Sequence, residues 1–286
     1  MTASDTVTAP GDTRLRRRMP PLLVCVAALV LLVIVSWAVL GEWLAPHDPH
    51  AQNPLLNVQP PSFEHWFGTD QLGRDVFSRV VAGTGNAIIG PVCVALGAVV
   101  LGLFFGMIAG YHGRWTDSVI ARTADIFYSL PALLIAIVVV GIVSGSYWVT
   151  VAVLIFLTFP GDVRIFRSVT LVETRLQYVD AARTLGVRPA GIIARHILPN
   201  IIPTVLATLM LEFATALVGF SALAFLGLGV DAGGLDWGTI IADGQRQLFV
   251  NPMMSVGTAL VIIAVAASVT IVGDWLYDRF SRKAGR

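Results

Sequence analysis

The stretch Tyr178–Pro203, YVDAARTLGVRPAGIIARHILPNIIP, is the one long polar interruption late in a chain otherwise made of apolar runs. Val179, Ala182 and Leu185 recur at helical spacing, and Gly186 offers the left-handed conformation that ends a helix at little cost. Pro189 fits the first turn of a second helix, where its missing N–H has no partner to lose. Ile192, Ile193, His196 and Ile197 then line one face until Pro199 interrupts. The spacing predicts two short helices joined at a glycine, forming a docking surface. A plain amphipathic connector between spans would carry the same periodicity.

What flanks this stretch fixes the class. The 286 residues are 56% hydrophobic and 13% charged, with a mean hydropathy of +0.77, too apolar for a domain that must present a charged surface to water. A spanning helix needs about 20 apolar residues. Six runs qualify: Leu22–Leu44, Asn86–Tyr111, Ser118–Val143, Trp148–Phe166, Ile201–Leu228 and Ser255–Leu276. The expectation is an all-α, polytopic integral membrane protein of six transmembrane helices in a cell membrane, surrounded by lipid, with no nucleic-acid partner.

Cytoplasmic loops collect Arg and Lys. Placing both termini in the cytoplasm puts Arg114, Arg122 and the basic groups of Arg14–Arg18, Arg164–Arg195 and Arg279–Arg286 inside and leaves only Arg74, Arg79 and Arg246 outside. The expected organisation is a cytoplasmic tail (1–21), a first span (22–44), an outer loop (45–85), a five-helix core (86–276) with a cytoplasmic loop at 170–200, and a basic tail (277–286). Residues 1–13 are small and polar and are expected to be disordered. Arg14–Arg18 before Leu22–Leu44 has the flavour of a secretory signal, but the apolar run is too long and no small-x-small cleavage site follows.

Within the spans, Gly102, Gly106 and Gly110 put three bare backbone patches on one helix face and predict close helix packing. Arg122 and Asp125, three apart, are expected to form an ion pair on one face. Pro131 and Pro160 are expected to break or bend the third and fourth spans. Glu212 is read as the lone acidic residue deep in a span, a candidate for the transport pathway. Cys25 and Cys93 fall in apolar spans and predict no disulfide or zinc framework.

Three sets of residues carry a resemblance. Asp180-Ala181-Ala182, Gly186 and Leu198-Pro199 resemble the EAA loop of permease subunits in ATP-binding-cassette importers, with Asp180 where Glu is usual and His196 where an apolar residue is common. Gly68-Thr69-Asp70 and Leu72-Gly73-Arg74-Asp75 resemble the GTDxLGRD signature of peptide and nickel permeases. A helix start with Asp70 or Asp75 as cap and Arg74 or Arg79 pairing at the surface accounts for part of it. Phe225–Gly229, Trp237-Gly238 and Gly273–Leu276 follow in the family's order, with Gly233 and Gly234 in a glycine-rich outer loop.

The resemblance implies the second permease of a dipeptide/oligopeptide importer, with a nickel importer as the alternative. It implies pairing with a homologous permease, two cytoplasmic ATPases or one fused ATPase, and an extracytoplasmic substrate-binding protein. ATP and Mg are then held by the ATPases and no cofactor by this chain. In the family the EAA loop is the coupling element that fits a cleft on the ATPase. The two alanines are expected to let that partner approach closely.

What is missing agrees. The only lysine is Lys283, so no P-loop is present, and neither H-E-x-x-H nor G-x-S-x-G occurs. His47, His50, His65, His112 and His196 all fall in predicted loops at no metal-binding spacing, so no metal site and no catalytic site is expected. A self-contained secondary transporter, the rival from another class, would show charged pairs deep in several spans or internal repeats.

Overall fold

The structure, a computed structural model, describes residues 21–129, 131–143, 146–229 and 234–284. The expected tail at 1–13, the Arg14–Arg18 cluster, Gly233 and Arg286 lie outside the described residues. All the regular structure among the described residues is helical: α1 (Pro21–Leu40), α2 (Val76–His112), α3 (Arg114–Tyr128), α4 (Ala132–Ile142), α5 (Tyr147–Glu173), α6 (Gln177–Thr184), α7 (Pro189–Ile192), α8 (Leu198–Phe225), α9 (Trp237–Gln245) and α10 (Met253–Ala284). Five helices among the described residues are long and apolar enough to cross a membrane; α3 and α4, bent by 77° at their junction, pass the same test only together and give a sixth when counted as one span. Apolar side chains such as Leu29, Val39, Phe104 and Leu260 remain exposed, which suits a helix surface that faces lipid.

α2 is the centre of the bundle. Its 37 residues make a rod about 55 Å long at 1.5 Å per residue, and it packs along α5, α8, α1 and α3. Two buried clusters grow from it. One joins Val76, Val80 and Ala87 to Leu217, Trp237, Met254 and Val265; the other joins Val94 to Val151, Leu154, Phe220 and Leu223. The expected glycine face looks at α5: a Cβ on Gly106 would lie 2.8 Å from Phe166 Cβ, and one on Gly110 2.7 Å from Thr170 Cβ. A four-residue stagger on one helix meets a four-residue stagger on the other.

Several boundaries differ from the sequence expectation. α2 begins at Val76, ten residues before the expected Asn86, because Asp75 caps it by accepting a hydrogen bond from Ser78 N–H at 2.8 Å. The third span is not continuous: α3 ends at Tyr128, and Pro131 cannot donate into a helix and instead stands in extended conformation as the N-cap of α4. α5 runs through Pro160 without a break. Arg122 and Asp125 do not pair. Arg122 is exposed, and Asp125 faces Arg164 of α5 at 3.6 Å, while Asp117 of α3 takes both an Nε and an Nη2 donor from Arg167. Contacts between α3 and α5 override the pairing within α3.

The glycine-rich segment after α8 contains α9. Asp236 Oδ1 accepts from Gly238 N–H at 2.8 Å to start it, and Trp237, wholly buried, donates Nε1–H to Val80 O at 3.0 Å. Burial leaves one face of the Asp236 carboxyl without a donor and pushes its pKa up to about 6.

Candidate functional site

At one end of α2 lies the predicted docking loop. α6 turns at Leu185–Gly186, and Gly186 adopts φ +74° with open space where a Cβ would be. The constraint on that residue is therefore conformational, since nothing crowds it. Val187 N–H then bonds back to Ala182 O at 3.1 Å, closing the helix end. Val179, Ala182, Ile192, Ile197 and Ile201 form a buried layer against Leu103, Met107 and Tyr111 of α2. Asp180, Ala181 and Arg183 face outward, with Arg183 Nη1 donating to Asp180 Oδ1 at 3.1 Å and its guanidinium 5.3 Å from the centre of the Tyr111 ring. Tyr178 donates its hydroxyl to Glu173, and burial first, then that bond, push the phenol up to about 12.

Three expectations for this loop need correction. Ala182 is buried in the chain's own core, so of the two alanines only Ala181 is available to a partner. Leu185, expected on the apolar face, is 83% exposed. Pro199 does not interrupt the second helix. A π turn at Ile193–Ile197 lets Leu198 N–H reach back to Ile193 O, and Pro199 sits in the first turn of α8, so α7 and α8 read as one run from Pro189 to Phe225.

At the far end of α2 the Gly68–Asp75 motif folds into a knot. Asp70 Oδ1 accepts from Leu72 N–H and Arg74 N–H, and its Oδ2 accepts from Arg74 Nε at 2.6 Å with Arg79 Nε 3.7 Å away. Thr69 Oγ1 accepts from Gln59 N–H and donates to Asn57 O. Gly73, at φ +69°, lies against Asn53 O, where any side chain would collide. Asn251, at the entrance to α10, donates to Phe67 O at 2.9 Å. The side chains of Thr69, Asp70 and Arg74 thus hold the connection between α1 and α2 in shape.

Between the two ends lies a feature the sequence reading missed. Glu212 of α8 is not a lone intramembrane acid: Asp162 of α5, wholly buried, interacts with it. No donor other than the partner carboxyl itself reaches either Asp162 oxygen or Glu212 Oε2. Asp162 escaped notice because Pro160-Gly161 before it and Arg164 after it look like the polar end of a span. The sequence reading also set aside every histidine as a ligand, yet His47, His65 and Asp75 converge within 4.8 Å. No local spacing announces them, since 18 residues and then 10 separate the three.

Residues 102–286 match the family described as "Binding-protein-dependent transport system inner membrane component". Among similar proteins, the dipeptide transport system permease protein DppC of Alkalihalophilus pseudofirmus is 34% identical over 260 residues, 90% of this chain and 86% of that one. The glutathione transport system permease protein GsiD of Pectobacterium atrosepticum is 32% identical over 262 residues, again 90% and 86%. The probable D,D-dipeptide transport system permease protein DdpC of Escherichia coli is 31% identical over 265 residues, 93% and 89%. Among solved structures, an inward-facing MetNI methionine ABC transporter chain shares the fold, with a TM-score of 0.58 at 18% identity over 72% of this chain and 96% of that chain. The fold, the run of membrane-spanning helices and this match over most of the chain lead to one conclusion: the chain belongs to the binding-protein-dependent transport system inner membrane components, as a multi-pass permease subunit of an ATP-binding-cassette importer.

Proposed function

We propose that this permease forms half of a translocation pathway for short peptides, and that α6, Gly186 and α7 couple the pathway to ATP hydrolysis. Its partners are a second homologous permease, two cytoplasmic ATPases or one fused ATPase that hold ATP and Mg, and an extracytoplasmic substrate-binding protein. The α6–α7 end faces the cytoplasm and the Asp75 end faces outward, in keeping with the Arg-rich composition of the 164–195 segment.

One observation carries the coupling reading: the loop has an exposed polar face at Asp180, Ala181 and Arg183 and an apolar underside buried on Met107 and Tyr111 of α2. Force applied to the exposed face passes through packed side chains into the helix that runs the length of the bundle. To move the pathway from 1:99 to 99:1 between two states, nucleotide must favour one of them by about 5.5 kcal/mol. The peptide assignment is supported by the dipeptide and glutathione permeases among the relatives.

The test is affinity purification of the tagged chain in mild detergent with mass spectrometry of what accompanies it, then uptake of a labelled dipeptide by the reconstituted complex. Recovery of P-loop ATPases with the native chain, and their loss when Asp180 and Gly186 are both substituted at unchanged membrane abundance, supports the reading. Recovery of the chain alone, where a known importer complex survives, overturns it.

A further inference from the structure

We infer that His47, His65 and Asp75 form a binding site for a divalent transition-metal ion, zinc by the chemistry of its donors, in the connection between α1 and α2. A ring nitrogen from each histidine and a carboxylate oxygen lie within 4.8 Å of one another. His65 and Asp75 are buried, and the His47 side chain is 40% exposed. Two imidazoles and one carboxylate are a donor set that suits zinc and its neighbours and is too nitrogen-rich for Mg or Ca.

The hydrogen bonding around these residues leaves one ring nitrogen unused. Asp75 Oδ2 accepts the capping N–H of Ser78, and Asp75 Oδ1 accepts from His65 Nδ1–H at 2.9 Å. Ser78 Oγ accepts His47 N–H at 3.0 Å, so the backbone of His47 is tied down beside the other two. Its ring lies 5.0 Å from that of His65. Yet His47 Nδ1 is shielded from solvent with no hydrogen-bond partner, 3.8 Å from Asp75 Oδ2 and beyond hydrogen-bond reach. A buried ring nitrogen with a carboxylate oxygen just beyond bonding reach leaves both lone pairs facing one point, which a cation can bridge.

Zinc bonds of about 2.0–2.2 Å bring such donors to roughly 3.4 Å from one another. Binding through His65 Nδ1 releases to solvent the proton it donates to Asp75 Oδ1, rotation of the half-exposed His47 ring supplies the contraction, and its open side leaves room for a water as fourth ligand. His47 lies just past α1, His65 in mid-connection and Asp75 at the head of α2. An occupied site therefore staples the whole connection to the helix that carries the bundle. His50, three residues on from His47, points elsewhere, to Glu42 at 3.5 Å.

The experiment uses the full-length chain in its purified complex, carrying a streptavidin-binding tag in place of oligohistidine. The complex is stripped with chelator and titrated with Zn²⁺ against a chromogenic competitor. His47→Ala is the decisive variant because its ring is half exposed and makes no hydrogen bond in the fold, whereas His65→Ala removes a bond to the α2 cap. His50→Ala is the control. Loss of an outer-shell partner alone costs roughly 10–100-fold in affinity, and loss of a ligand costs at least as much. The expected result is one zinc equivalent per complex that weakens tenfold or more in His47→Ala and is retained in His50→Ala. Thermal unfolding should show that Zn²⁺ raises the Tm of the native complex and of His50→Ala but not of His47→Ala. Zinc binding that differs less than tenfold between the native complex and His47→Ala overturns the assignment, as does the absence of any zinc equivalent.

Discussion

Gly102 of α2 lies directly against Asp162 of α5, so close that a Cβ on the glycine would collide with the aspartate's own Cβ. The same approach is repeated one turn on by Gly106 and Phe166, then by Gly110 and Thr170. Gly106→Ala is expected to force the helices apart at a cost of about 1–3 kcal/mol, the usual range for overpacking. Gly219→Ala, at a helical glycine with open space around it, should be neutral or slightly stabilising. Thermal unfolding of both variants in detergent checks this, and equal Tm values would mean that α2 and α5 do not hold the separation seen here.

Gly186 separates conformation from contact. A side chain there meets nothing, so only the positive φ opposes it. Gly186→Asn, a residue that tolerates the left-handed region, should keep most ATP-driven uptake. Gly186→Val should lose most of it while still inserting in the membrane. Uptake and membrane abundance measured together check this, and normal uptake by the valine variant would remove the turn from the coupling account.

These positions also show what could be read from the sequence and what could not. The spans, the glycine face and the hinge at Gly186 follow from local periodicity and single-residue geometry, which need no knowledge of neighbours. The start of α2 at Val76 did not, because Ser78, Arg79 and Thr84 interrupt the apolar run; the fold buries them, with His47 N–H on Ser78, Asp70 beside Arg79, and Thr84 bonded back to Val80 O in its own helix. Asp125 was assigned to Arg122 by spacing and pairs instead with Arg164, a contact between helices that spacing cannot see. α9 was hidden among glycines, although Asp236 ahead of Trp237-Gly238 is a helix-start signal. The Asp162–Glu212 and His47–His65–Asp75 groups are made wholly by tertiary packing.

The Asp162–Glu212 pair makes a prediction of its own. Two carboxyl groups side by side within the span, with no donor but each other, cost stability, since a buried acceptor left unsatisfied costs about 1–3 kcal/mol by itself. Asp162→Asn lets an amide N–H donate to Glu212, so the variant is expected to be at least as stable as the native chain. Glu212→Gln should do the same from the other side. If either variant loses uptake while its Tm holds or rises, the acid is part of the pathway; unchanged uptake across pH assigns the pair to packing.

Asp236 gives the stability a pH dependence of defined sign. Its carboxyl is raised from 3.8 to about 6 in the fold because burial opposes ionisation more than the Gly238 N–H favours it. The folded state therefore holds this proton more tightly than the unfolded chain does. The contribution is fully present below the unfolded pKa and is lost as pH rises through the folded one, so stability should fall between about pH 4 and 7. The rise from 3.8 to about 6 corresponds to roughly 3 kcal/mol. Asp236→Asn keeps an oxygen to cap α9 at Gly238 but has no proton to lose. Its Tm should stay level across that window while the native Tm declines, and the two curves should diverge most at neutral pH. Parallel curves would mean that the unpartnered Asp236 oxygen finds a donor that offsets its burial.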